Sequence, residues 1–168
     1  MAISGGAGFD RKTPATSYKA PGKDRLRVDL LVPASGGEVS IKEVPELRAH
    51  ATALPYLRYL LTDAQEAVVL AREGVVPVRA PRPEVFAWHK MLVSQLRVGT
   101  SEKRAKDILQ SAVIFAVLSE DAPDALESAF AAVPRSARTK TRSGAKQVLA
   151  LLETSSHPRA VEMMRQLL

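Results

Sequence analysis

The sequence predicts an α+β protein, with a small mixed or antiparallel β-sheet lobe followed by a helical-bundle lobe. Three observations carry this. Apolar and polar residues alternate over 26–30 and 39–44, and short β-branched runs recur at 67–71 and 75–79. A proline-rich interruption, APRP, stands at 80–83. From there to the C-terminus the apolar residues recur at helical spacing. Two parts are expected, residues 1–80 rich in strand and residues 81–168 helical. A chain of 168 residues can bury a sizeable core, and with 46% hydrophobic residues it is not globally disordered.

Residues 1–24 are rich in Gly, Ser, Thr, Lys and Pro and read as loop or weak strand. Tyr18 and Lys19 suit a short strand, and PGKD at 21–24 suits a turn. Leu26, Val28 and Leu30 then alternate with Arg25, Arg27, Asp29 and Leu31, which predicts a half-buried strand ending at Pro33 and completing a hairpin. ASGGE at 34–38 is a loop, and VSIKEV at 39–44 is an edge strand. Residues 46–62 mix helix formers with Pro55, so a short helix is expected near Leu57–Leu61. AVVLA and VVPVR flank REG and predict a second hairpin with its turn centred on Gly74.

Pro83 and Glu84 suit the first turn of a helix. Val85, Trp88, Leu92 and Leu96 carry that helix over 84–98, and Gly99 stops it. Ser101 is placed to cap the next helix, which runs to about Glu120 along a stripe of Ala105, Ile108, Leu109, Ala112, Val113, Phe115 and Ala116. Further helices are expected near 122–133, 142–153 and 158–168, with Pro134 and Pro158 as breakers. No internal repeat or heptad array is present.

Composition removes several classes of function. There is no cysteine, so disulfides and cysteine-based zinc sites are excluded. No apolar run reaches the length of about 18 residues that a membrane span needs, and SAVIFAVL belongs in a buried helix. MAISGGAGFDRK has no apolar core and is not a signal peptide, so a cytoplasmic location is expected. The net charge of +6 suits a polyanionic partner, and equally a solvated basic surface.

Asp29 is the first residue that could carry chemistry. It shares a strand face with Arg25 and Arg27, so it either pairs with Arg27 on the surface or offers a carboxylate to a metal ion. The second group lies in 83–110. Arg97 follows Lys90 by seven residues, on roughly the same helix face. Lys103 and Asp107 are spaced as an i,i+4 pair, and two helices joined by so short a turn also bring Lys90 or Arg97 to Asp107. Asp107 therefore reads as an interhelical ion pair that orients Lys90. Lys90, Arg97 and Lys106 read as a basic shelf for a triphosphate.

His50, His89 and His157 show no ligand spacing. Gly5, Gly6, Ala7 and Gly8 lack the following Lys-Ser/Thr of a phosphate loop, and no Gly-x-Ser-x-Gly elbow exists. The basic run PRSARTKTRSGAK at 134–146 reads as a solvated interhelical loop or a nucleic-acid contact. It has no interleaved aromatic residue for base stacking.

PATSYK followed by RLRVDLLVP, then VPVRAPRPEVFAWHKMLVSQLR and SEKRAKDILQSAVIFAVL, resembles the C-terminal half of a bacterial family of nucleotidyltransferase-fold proteins, over roughly residues 9–135. That family is similar to the minimal and the Abi-type toxin nucleotidyltransferases. The resemblance implies metal-dependent transfer of NMP from an NTP to a hydroxyl. Asp29 then matches the third metal-binding, catalytic carboxylate, and Mg²⁺ is the implied cofactor. Lys90 and the Lys106-Asp107 block match the family's helical lobe, where the lysine contacts phosphate and the aspartate holds it. The family's Asp-x-Asp pair has no counterpart in this sequence, where Asp10 and Asp24 stand alone. The alternative is therefore a truncated or degenerate relative acting as a nucleic-acid- or protein-binding module of toxin–antitoxin type. The expected partners are a nucleoside triphosphate and a nucleic-acid or protein acceptor, without a membrane. Exposed strand edges would favour a homo-oligomer.

Overall fold

The computed structural model describes residues 4–5, 13–19, 27–72, 74–99 and 101–168. It has two compact units, Met1–Arg58 and Tyr59–Leu168. The hairpin over 65–80, which the sequence groups with the β-rich part, clusters with the helices instead.

The first unit is built from short strands: β1 (Ser4–Gly5), β2 (Ser17–Lys19), β3 (Arg27–Asp29), β4 (Leu31–Pro33), β5 (Ser40–Val44) and β6 (Ala49–Leu54). They form two sheets, ordered β1-β2-β3 and β4-β6-β5. The expected hairpin is present, with Ser17 opposite Asp29 and Lys19 opposite Arg27. Its turn at 21–24 lies outside the described residues.

The expected single strand ending at Pro33 is instead two strands in two sheets, and the chain changes partner at Leu30. The Leu30 N–H donates to Thr16 O at 3.0 Å, while its carbonyl accepts from Thr52 N at 2.8 Å. One residue thus closes an antiparallel ladder and opens a parallel one, since β4 runs parallel to β6. The Thr52 hydroxyl donates to the Thr16 hydroxyl at 2.8 Å and ties the two sheets beside that handover.

β6 falls where the sequence suggested only helix formers. Its residues AHATAL have weak strand propensity, yet it is the central strand, with β4 on one side and antiparallel β5 on the other. Ala51 and Ala53 are buried there, so small side chains are what this position takes. A turn at Pro45–Leu47 leads into it, and Arg48 adopts a left-handed φ of 48° as its N–H reaches back to Pro45 O.

Helix α1 (Leu57–Leu61) forms where expected and crosses the division between the units. The second unit continues with β7 (Gln65–Ala71) and β8 (Gly74–Ala80), a two-stranded antiparallel ladder. Gly74 pairs with Ala71 inside the ladder, so the turn is not centred on Gly74. Val68, Val69, Leu70, Val75 and Val76 are each more than half exposed. Asp63, with a φ of 55°, precedes the hairpin, and its carboxylate accepts from Arg82 Nε at 2.6 Å.

The helices are α2 (Pro83–Leu96), α3 (Ser101–Asp121), α4 (Pro123–Ala131), α5 (Arg138–Glu153) and α6 (Pro158–Leu167). Proline opens α2, α4 and α6, where its missing N–H costs nothing. Ser101 lies inside α3 as its first residue, not ahead of it as a cap. On α3 the stripe is rotated from the expected one. Ile108, Ala112, Phe115 and Ala116 are buried, but Leu109 and Val113 face outward and Asp107, Ser111 and Ser119 turn inward.

The run 134–146 is not a loop. Arg135–Ala137 form a 3₁₀ turn, and α5 begins at Arg138. Its buried face is made of Thr141, Gly144, Ala145, Val148 and Leu152, which recur at helical spacing. Small residues carry that pattern, so the hydrophobic period is faint in the sequence.

The core of this unit centres on Trp88, which is fully buried. Its indole N–H donates to Leu126 O at 2.9 Å, Phe115 meets it edge-on at 5.6 Å, and Phe130 lies at 4.6 Å. Ser111 Oγ donates to Ala87 O at 2.8 Å and links α3 to α2. Gly144 lets α5 touch α2 backbone to backbone. A Cβ there would fall 2.7 Å from the Met91 carbonyl carbon and closer still to its oxygen.

Candidate functional site

Helices α2 and α3 are consecutive, and residues 97–100 join them. Lys90 lies in the middle of α2, and Arg97 directly follows its last residue. Asp107 lies on the inward face of α3, with only 2% of its side chain exposed. Lys90 Nζ donates to Asp107 Oδ1 at 2.7 Å, and Arg97 Nε donates to Asp107 Oδ2. Each carboxylate oxygen thus receives one cation. Lys103, the other candidate partner, is exposed and makes no ion pair with a described residue.

The two cations are held differently. The Lys90 ammonium also sits 5.1 Å above the Phe86 ring, which favours a positive charge at that point. Arg97 is pinned through its backbone as well, since its N–H reaches Val93 O at 3.2 Å and its carbonyl accepts from Arg104 Nη2 at 3.2 Å. The Arg97 bond to Asp107 runs through Nε, so among the described residues its outer nitrogens keep their donors. Lys90 and Arg97 remain 20% and 32% exposed. Two positive charges around one negative charge leave the cluster net positive and open to solvent.

Burial alone would raise the Asp107 pKa, but hydrogen bonds from Arg97 and Lys90 and their charges outweigh it, so the carboxyl is held below its ordinary range. His89, next along α2, is buried as well. Desolvation first, and the Lys90 charge second, bring its pKa down to about 4 against a weaker opposing pull from Asp107. His89 is therefore a neutral core residue beside the cation pair.

Lys106 does not join this cluster. It is exposed on another face of α3, where it borders a shallow groove with Arg104, Leu109, Gln147 and Leu151.

Asp29 sits in the first unit, exposed on β3. Arg27 Nε donates to Asp29 Oδ1 at 2.9 Å and to Ser17 Oγ at 2.7 Å. Hydrogen bonding with Ser17, and then with Arg27, lowers the Asp29 pKa. Ser17 was not singled out in the sequence, although hairpin pairing opposite Asp29 brings it there. These contacts test the implied Mg²⁺. A metal site of this kind needs converging oxygen donors, yet the Asp29 carboxylate is engaged by a guanidinium. Among the described residues no group of three His, Asp or Glu side chains could hold an ion. Among the described residues the donor set does not fit a Mg²⁺ centre.

No described helix is long and apolar enough to cross a membrane. The geometry thus defines an α+β protein presenting a pair of cations braced by one buried carboxylate. A nucleotidyltransferase family model matches residues 7–134, and the chain belongs to that family. The matched span contains Asp29, Lys90, Arg97 and Asp107 and ends just before the basic turn that leads into α5. No curated protein and no solved structure matches the chain.

Proposed function

We propose that this nucleotidyltransferase-like chain binds the phosphates of a nucleoside triphosphate on Lys90 and Arg97. The observation that carries the reading is the Asp107 brace. It holds two partly exposed cations in place while neutralising only one of their charges. The ordering cost that flexible Lys and Arg side chains would pay on binding is thereby met in advance. In the transfer reaction an acceptor hydroxyl attacks the α-phosphorus. A new P–O bond forms, the bond to the bridging oxygen of pyrophosphate breaks, and the hydroxyl proton is released. The braced cations would stabilise negative charge on the phosphates and the departing pyrophosphate.

A second reading, binding without transfer, draws on the missing Asp-x-Asp pair and the engagement of Asp29 by Arg27. Calorimetric titration with NTP separates the readings when combined with incubation in α-labelled NTP, Mg²⁺ and nucleic-acid or protein acceptors. The expected result is binding that weakens about tenfold in each of Lys90→Ala and Arg97→Ala, the loss of about one charge-assisted contact. Label transferred to an acceptor supports the enzyme, and binding without transfer supports the second reading. Absence of NTP binding by the parent chain overturns the phosphate site.

A further inference from the structure

Helix α5 presents a basic face that the phosphate pair does not use. From Ser128 to Leu152 the chain has no acidic residue, yet it carries Arg135, Arg138, Lys140, Arg142 and Lys146. All five are exposed, and none is ion-paired with a described residue. Arg138, Arg142 and Lys146 follow one another at four-residue spacing, so they share a face at intervals of ~6 Å. Two of them are already ordered without losing their charge. Arg138 Nη2 donates to Ala131 O at 3.0 Å, and the Arg142 guanidinium lies 5.8 Å over the Phe130 ring.

We infer that this face binds the phosphodiester backbone of a nucleic acid. Uncompensated charge in a row, partly pre-ordered, is what neutralises successive phosphates and releases their counterions. The residues between the cations, Thr139, Ser143 and Gln147, are exposed and polar. They offer hydrogen bonds to phosphate or sugar, and no apolar side chain that would enter a membrane. No aromatic residue is interleaved, so bases are not stacked and binding is independent of sequence. The inference stands apart from the triphosphate site, because it needs neither Lys90 nor Arg97.

The test is fluorescence anisotropy of the full chain with a short labelled oligoribonucleotide and a DNA duplex, without NTP, at ~50 mM and ~200 mM salt. The comparison protein is R138Q/R142Q/K146Q, which changes the exposed row itself. Its fold is checked by circular dichroism and by the emission of Trp88, the sole tryptophan. The parent chain is expected to bind and to weaken roughly tenfold or more between the two salts, as about three phosphate contacts require. The folded triple variant is expected to lose most of that affinity and to show a salt slope smaller by about 2. Lys90→Ala is expected to bind like the parent. Preference between RNA and DNA names the source of the backbone. The inference is overturned if the parent does not bind at the lower salt or if the folded variant keeps the parent's slope. Equal binding to vesicles of anionic lipid would also overturn it.

Discussion

Asp107 holds Lys90 across the junction of α2 and α3, with Oδ1 2.7 Å from Nζ, while its second oxygen takes Arg97. The carboxylate is buried and the cations are not. Removing Asp107 therefore leaves two like charges side by side, whereas removing either cation leaves the carboxylate still paired. Asp107→Ala is expected to cost about 2–4 kcal/mol, below the full cost of breaking a buried pair because Lys90 and Arg97 reach water. Lys90→Met is expected to cost less. Urea denaturation of both variants measures the order, and a Lys90→Met loss exceeding that of Asp107→Ala contradicts the brace. The Asp107 contribution is present above the ordinary carboxylate range and fades as pH falls below it, because the folded pKa is the lower one.

His89 adds a pH dependence at milder acidity. Its folded pKa of about 4 lies below the ordinary 6.5, so between these values the unfolded chain binds the extra proton. Stability is complete above pH 6.5 and declines as pH falls towards 4, by about 3 kcal/mol at most. His89→Gln is expected to flatten that slope. Stability measured against pH, with Trp88 emission as the probe, checks it, and an unchanged slope in the variant excludes His89 as the cause.

Gly144 marks the closest approach of α5 to α2. An added methyl would strike the Met91 peptide, which cannot swing aside as a side chain does. Gly144→Ala would gain up to about 1 kcal/mol in helix propensity. The clash is expected to outweigh this and leave a net loss of about 2 kcal/mol. A thermal melt showing stabilisation would refute the close approach.

Trp88 is fully buried, whereas Leu70 is largely exposed. Trp88→Phe removes the indole donor to Leu126 O and leaves a gap in the packed core, and is expected to cost about 2–3 kcal/mol. Leu70, with 77% of its surface exposed, is expected to tolerate Ser within about 0.5 kcal/mol. Chemical denaturation of the pair tests the burial map, and comparable losses would contradict it.

Much of the element list was legible. Strong periods and prolines marked most helices near their observed limits, apolar–polar alternation marked the first hairpin and β-branched runs the second. The misses share a cause. β6 is alanine-rich and α5 opens on small and basic residues, so neither advertises its period, and burial within the folded chain decides both. The helical register of Lys90, Arg97 and Asp107 was readable because it depends on spacing within two consecutive helices. Ser17 beside Asp29 was not, since that contact needs strand pairing across a turn.

The sequence by itself determined the α+β order, the limits of α2 and α3 and the interhelical meeting of Lys90 or Arg97 with Asp107, because these rest on local periodicity and on breakers a few residues apart. Only the tertiary structure decided that Asp107 takes both cations and leaves Lys106 outside, that Leu30 passes the chain from one sheet to the next, and that Asp29 is engaged by Arg27 and Ser17. Those outcomes depend on which of several chemically equivalent partners reaches a given atom first, and packing, not spacing, makes that choice.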